Sequence, residues 1–179
     1  MARIYYDTEF LERGPNYPIE FISIGMVRED GTELHAVSSE FDQHAVRTHP
    51  FLGKHVWPHL PQVQPTPGVR DGGHPRLDVD HPDVRPRAQI ARMVHEFVRT
   101  TPDVQLWAWY ASYDHVVLSQ LFGRMVDLPS GFPMFTCDLK QEAARLGDPQ
   151  LPEQESGAHN ALADARHLKA MAEHLTARA

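Results

Sequence analysis

At 179 residues with 41% hydrophobic side chains, the chain has material for one ordinary globular domain, 1–179, with a sizeable core. The lone Cys137 excludes an internal disulfide; with no apolar stretch of about eighteen residues and no signal-like N-terminal segment, the expectation is a cytoplasmic chain that spans no membrane. A net charge of −7 weighs against tight nonspecific binding of long nucleic acid, which depends on many basic phosphate contacts.

Residues 3–9, aromatic and β-branched, predict a first strand, followed by a second over 19–28 and a third over 33–40. Glu29-Asp30-Gly31-Thr32 supplies the turn between the last two, because Asp-Gly between apolar runs is a hairpin signal. Residues 46–60 are mixed, and Pro50 and Pro58 restrict any helix to a short piece over 51–57. From 61 to 86 the chain is rich in Pro, Gly, Asp and Arg, which predicts a long, flexible, partly disordered surface insertion. His74 and His81 lie there beside Asp71, Asp78, Asp80 and Asp83; a flexible loop lacks rigid ligand geometry, so they read as solvated residues rather than as a metal site.

Ile90, Met93, Val94 and Phe97 recur at helical spacing and predict a helix over 87–100. A strand over 104–110 follows, then a helix over 114–124, an extended piece at 134–136, and helices over 138–146 and 161–176. Trp107 and Trp109 alternate along one strand and so share a face, where at least one packs in the core; Cys137 reads as a packed core thiol. Three antiparallel strands followed by alternating helices and strands predict an α/β fold with a mixed central sheet flanked by helices, and no internal repeat is apparent.

Acidic residues at three places in this order carry the chemistry. Asp7 and Glu9 lie two apart on the first strand and aim at one point. Two carboxylates held that close are tolerated if one is protonated or a cation lies between them, and Mg²⁺ and Mn²⁺ favour such oxygen ligands. Taken alone, the pair also fits an exposed strand end with solvated charges. Asp114, at a helix start, alone reads as a cap rather than a ligand. In His159-Asn160-Ala161-Leu162-Ala163-Asp164, Asn160 is the predicted N-cap of an Ala-rich helix. Within one helix His159 and Asp164 would lie about 140° apart. Placing His159 on the loop before the cap lets both face one site, with Ser156-Gly157 as a hinge for a base that moves in with substrate. Four carboxylates and a histidine so arranged suit a two-metal nuclease.

These motifs resemble those of the DEDDh 3′-5′ exonucleases of the ribonuclease H-like superfamily: Asp7-Thr8-Glu9, Asp114, and His159 with Asp164 five residues on. Within that family the chain is most similar to the actinobacterial polyadenylate-specific 3′-exoribonucleases of the AS type. The likeness is carried by Tyr6-Asp7-Thr8-Glu9-Phe10, Ile22-Ser23-Ile24-Gly25-Met26-Val27, Leu106-Trp107-Ala108-Trp109, Tyr113-Asp114-His115-Val116 and the His159 motif, and it covers most of residues 1–175. One departure is Tyr110, where many members carry Asn.

The resemblance implies a ribonuclease H-like fold, a homodimer, and hydrolysis of single-stranded RNA 3′ ends, adenylate-rich ones included, to nucleoside 5′-monophosphates. It implies two divalent cations, Mg²⁺ or Mn²⁺, with Asp7 bridging both, Glu9 and Asp164 completing the first set and Asp114 holding the second through water. His159 is implied as the base, which must be neutral to accept a proton, so activity should fall as pH drops through its pKa. Thr8, Phe10 and Leu11 are implied to line the pocket for the terminal nucleotide, although Phe10 reads equally as core. Two cations would cancel four site charges and take the chain from −7 to −3, a balance that suits a short single-stranded end. Two alternatives stand beside this reading: a DEDDh enzyme acting on single-stranded DNA, and a catalytically silent RNA-binding protein, against which retention of all five residues counts.

Overall fold

The computed structural model describes residues 2–65 and 73–177 and is built around β1 (Ala2–Leu11), which pairs antiparallel with β2 (Glu20–Arg28). Strand β2 pairs antiparallel with β3 (Glu33–Ser38) across the expected turn. There Gly31 takes φ +87°, open to glycine, while Arg28 N–H donates to the Thr32 carbonyl at 2.9 Å and Thr32 N–H to Asp30 Oδ1 at 2.8 Å.

Helix α1 (Gln43–Thr48) follows, then α2 (Leu52–His55) and a 3₁₀ turn at Trp57–His59. Sequence reasoning missed α1. Its signal was Asp42, whose side chain accepts the Ala45 N–H at 2.9 Å, and its single buried residue, Val46, leaves too short a pattern for periodicity to register.

The described parts of the expected insertion include three short strands that the sequence reading did not anticipate. Strands β4 (Gln62–Val63) and β5 (Arg76–Leu77) form a two-stranded hairpin, and β6 (Val84–Arg85) runs parallel to β3 in the main sheet. Leu77 and Val84 are the anchors, each 3% exposed, and Leu77 N–H donates to Gln43 Oε1 at 2.9 Å. Two buried apolar residues seven positions apart, among so many polar ones, give no period to read. Residues 66–72, including Asp71, lie outside the described residues.

The second half continues with α3 (Arg87–Arg99), β7 (Val104–Ala108), α4 (Ser112–Gln120), β8 (Cys137–Asp138), α5 (Leu139–Arg145) and α6 (Ala161–Thr176). Strand β7 stops two residues earlier than expected, before Tyr110 at φ +53°, and α4 ends at Gln120 rather than 124, ahead of Gly123 at φ +108°. The paired strand, β8, begins at Cys137, directly after the extended piece expected at 134–136. The six-stranded mixed sheet runs β6-β3-β2-β1-β7-β8, with β7 parallel to β1 and β8 parallel to β7.

Alternation along β1 divides the core. Ile4 and Tyr6 pack with Ile90, Val94, Val117 and Leu118 of α3 and α4 on one face. On the other face Tyr5 packs with Leu139, Leu168 and Leu175 of α5 and α6, while Leu11 joins Ile22, Val46, Leu52 and Trp57 beneath α1 and α2. Burying each such side chain stabilises the fold by about 1.5–3 kcal/mol. Trp107 and Trp109 both pack against the α5–α6 cluster, as their spacing predicts, whereas Cys137 is half-buried on an edge strand instead of fully packed. No helix among the described residues is long and apolar enough to cross a membrane.

Candidate active site

The same alternation aims Asp7 and Glu9 toward the α6 face of β1 and Thr8 toward α4. Thr8 N–H and Oγ1–H both donate to Asp114 Oδ1, at 2.9 and 2.6 Å. Asp114, in the first turn of α4, thereby ties that helix to β1 while also hydrogen-bonding with its own backbone N–H.

Asp164 reaches the same region from the first turn of α6. Its Oδ1 accepts from Gln154 Nε2 at 2.7 Å and its Oδ2 from the His159 N–H at 2.9 Å. Asn160 caps α6 as expected, accepting the Ala163 N–H at 3.0 Å, with His159 on the loop before it. Two glycine positions fit this assembly. Gly25 pairs with Asp7 across the sheet, and a Cβ on it would collide with the Ala161 carbonyl and the Leu162 amide, so the start of α6 lies directly on β2. Gly157, at φ +76°, turns the chain into the His159 loop, its carbonyl accepting the Asn160 N–H at 3.1 Å.

Among the described residues, Glu9, His159 and Asp164 form the one group of potential ligands whose donor atoms all lie within 4.8 Å of one another. His159 thus faces into the cluster at φ +66°, with its ring 4.9 Å from Phe51 and 5.4 Å from His55. Its imidazole lies close to Glu9 and Asp164 and is contacted by both rings. Asp7 lines a cavity of about 450 Å³ with His159, Asp164, Trp109, Gln154 and His167. A larger hollow of about 730 Å³ also carries two acids, but there Glu33 and Glu96 are paired with Arg166 and Arg99, so the gathering of acids around a histidine rather than size marks the site.

Electrostatics bind the four acids into one system. Burial pushes Glu9 up to about 8, with the charges of Asp164 and Asp114 adding to the rise. Burial raises Asp114 to about 6, even though both Thr8 hydrogen bonds pull it down. Asp7 lies well above the ordinary carboxylate range, through burial first and then the charges of Asp114, Glu9 and Asp164. An oxygen-rich cluster whose members resist ionising together is the donor set that a hard divalent cation relieves.

The residues implied to line a nucleotide pocket are placed as follows. The Thr8 hydroxyl is engaged by Asp114, Phe10 packs against the α3–α4 core, and Leu11 is 2% exposed in the core beneath α1 and α2. Sequence reasoning missed Gln154, His167, Phe51, His55 and Asp138. His167 lies one turn beyond Asp164, a readable signal. Asp138, whose Oδ2 accepts the Ala111 N–H at 3.2 Å and whose charge raises Asp114, had its own in preceding a helix. The loop histidines gather no cluster among the described residues; His35 Nδ1 instead lies 3.0 Å from Asp83 Oδ2.

With the geometry in view, comparison with known proteins is specific. The family model of the 3′-5′ exoribonuclease Rv2179c-like domain matches residues 75–176, more than half of the chain and the part containing Asp114, His159 and Asp164. The 3′-5′ exoribonuclease Rv2179c of Mycobacterium tuberculosis strain ATCC 25618 / H37Rv is 42% identical over 166 residues, covering 92% of this chain and 87% of the relative. The same figures hold for the 3′-5′ exoribonuclease MT2234.1 of strain CDC 1551 / Oshkosh. That alignment, unlike the family model alone, is long enough to take in most of the N-terminal sheet, and it puts this chain in the Rv2179c-like 3′-5′ exoribonuclease family.

Proposed function

We propose that this chain is a DEDDh exonuclease of ribonuclease H-like fold that hydrolyses single-stranded RNA from its 3′ end, adenylate-rich tails included, and releases nucleoside 5′-monophosphates. The observation that carries the proposal is the approach of acids from β1, α4 and α6 to one another, with Glu9 and Asp164 beside His159. The raised pKa values of Asp7, Glu9 and Asp114 support cation binding; Asp7, Glu9 and Asp164 would hold one Mg²⁺ or Mn²⁺, and Asp7 and Asp114 would hold a second. Bound cations supply charge compensation for the phosphate and for its entering and leaving oxygens.

The chain's own groups do the rest. His159 accepts the proton of the attacking water as its oxygen bonds to phosphorus; the bond from phosphorus to the 3′ oxygen of the penultimate nucleotide breaks, and that oxygen takes a proton from solvent. Gln154 and the His159 N–H orient Asp164, and Thr8 orients Asp114. Trp109, half-buried at the cavity wall, offers an aromatic face to a base. The family resemblance also supports a homodimer, which sedimentation velocity measures.

The test is incubation of 5′-labelled oligoadenylate with Mg²⁺ or Mn²⁺ beside an Asp7→Ala control, with mixed-sequence RNA and oligodeoxyadenylate as parallel substrates. A ladder shortening from the 3′ end, absent in the control and faster on RNA than on DNA, is the expected result. Equal or faster cleavage of DNA would transfer the proposal to a DNA exonuclease. Binding without cleavage under either metal would make the protein a silent RNA binder.

A further inference from the structure

We propose that Phe51 and His55 are positioning residues that hold the His159 imidazole in its inward orientation. The inference rests on the hydrolytic reading above for its functional meaning, though not for its geometry. Helix α2 is short, and His49 caps it: Nδ1 accepts the Phe51 and Leu52 N–H groups at 3.3 and 3.2 Å. Leu52 and Val56 anchor the helix in the core, and Gly53 packs so closely on α1 that a Cβ there would collide with the Arg47 carbonyl. The helix is therefore held firmly, and what it presents outward is set.

It presents Phe51 and His55, four residues apart and on one helical face, with ring centroids 4.8 Å apart. Phe51 is 46% exposed, so the core does not account for its placement. Its ring instead meets that of His159 edge to face, at 4.9 Å and 83°, and His55 meets His159 at 5.4 Å and 65°. Aromatic pairs at these separations attract through their quadrupoles. His159 needs such support: its backbone takes φ +66°, a region non-glycine residues enter at a cost, and Gly157 two residues earlier gives the loop freedom to move. The imidazole is thus contacted by both rings and offers a ring nitrogen within 4.8 Å of Glu9 and Asp164 oxygens. A base displaced by about 1 Å from attack geometry loses rate by one or two orders of magnitude, which is what the brace prevents.

The experiment measures kcat and KM on oligoadenylate with Mn²⁺ for wild type, Phe51→Ala, Phe51→Leu, Phe51→Tyr and His55→Ala, each also in a His159→Ala background. The expected result is a kcat about tenfold lower for the single variants with KM nearly unchanged, recovery in Phe51→Tyr, and no further loss once His159 is gone. A loss confined to KM, or an equal loss in the His159→Ala background, would overturn the proposal by assigning the rings to substrate instead. In parallel, the His159 ring-proton resonance of the metal-free protein is expected to lie away from the free-histidine position and to return toward it in Phe51→Leu; an unshifted wild-type resonance would also overturn it. Should the wild-type protein cleave no RNA, the functional reading fails, and the resonance still decides whether the brace exists.

Discussion

Glu9 is raised to about 8 by burial and by the Asp164 and Asp114 charges, so in the metal-free fold it holds its proton through neutrality while an unfolded glutamate ionises near 4.5. A group whose folded pKa is raised contributes stability that is fully present below the unfolded value and is lost as pH rises through the folded one. The metal-free protein should therefore melt several degrees lower at about pH 9 than at about pH 6, and Glu9→Gln should flatten that dependence, as read by calorimetry. Saturating Mn²⁺ should reverse the trend, because cation binding needs the ionised carboxylates and releases their protons. The same substitution should abolish RNA cleavage, so the residue would stabilise the metal-free fold when neutralised and lose its purpose together. His159→Ala is a different case: its kcat should fall by about 10²–10⁴-fold while Mn²⁺ affinity, measured calorimetrically, stays within about tenfold.

Helix α6 delivers Asp164 only because its first turn rests on Gly25 of β2, opposite Asp7. Any side chain at that position must push the helix start off the sheet, since the colliding atoms are backbone and cannot rotate away. Gly25→Ala should cost about 2–4 kcal/mol of stability in denaturant unfolding. Variant protein that still folds should bind Mn²⁺ weakly, because Asp164 would stand farther from Glu9. Helix α4 depends on a softer linkage, the two Thr8 bonds to Asp114, and β8 with α5 is tied to the same turn through Asp138 and the Ala111 N–H. Three separate strand-to-helix connections thus converge on one end of the sheet.

Taken as one body, the chain carries a formal charge of −7, to which the four acids of the proposed site contribute when ionised. Two divalent cations would bring it to −3, counting four charges removed. Affinity for RNA should then come from the cations and from base contacts with aromatic surface rather than from many released counterions. Between about 50 and 200 mM KCl, KM for oligoadenylate should accordingly rise only a few-fold, against the 10³–10⁵ change typical of proteins with many phosphate contacts. A steep salt dependence would mean that a basic track on the surface carries the RNA.

Much of this was legible before any coordinates. The Asp7-Thr8-Glu9 pair is readable because strand alternation is local, and the Asn160 cap and the loop position of His159 follow from helix geometry within six residues. The helix at 87–99 and the turn at Gly31 were equally legible, each set by neighbours in sequence. The hairpin at Gln62–Val63 and Arg76–Leu77 was hidden, since its strands are two residues long and held by single apolar anchors. So were the bond from Thr8 to Asp114 across 106 positions and the approach of Phe51 and His55 to a histidine over a hundred residues away. Local periodicity and backbone sterics dictate which groups a segment offers and on which face; which distant groups meet is decided by how helices pack on the sheet, and no short-range pattern encodes that.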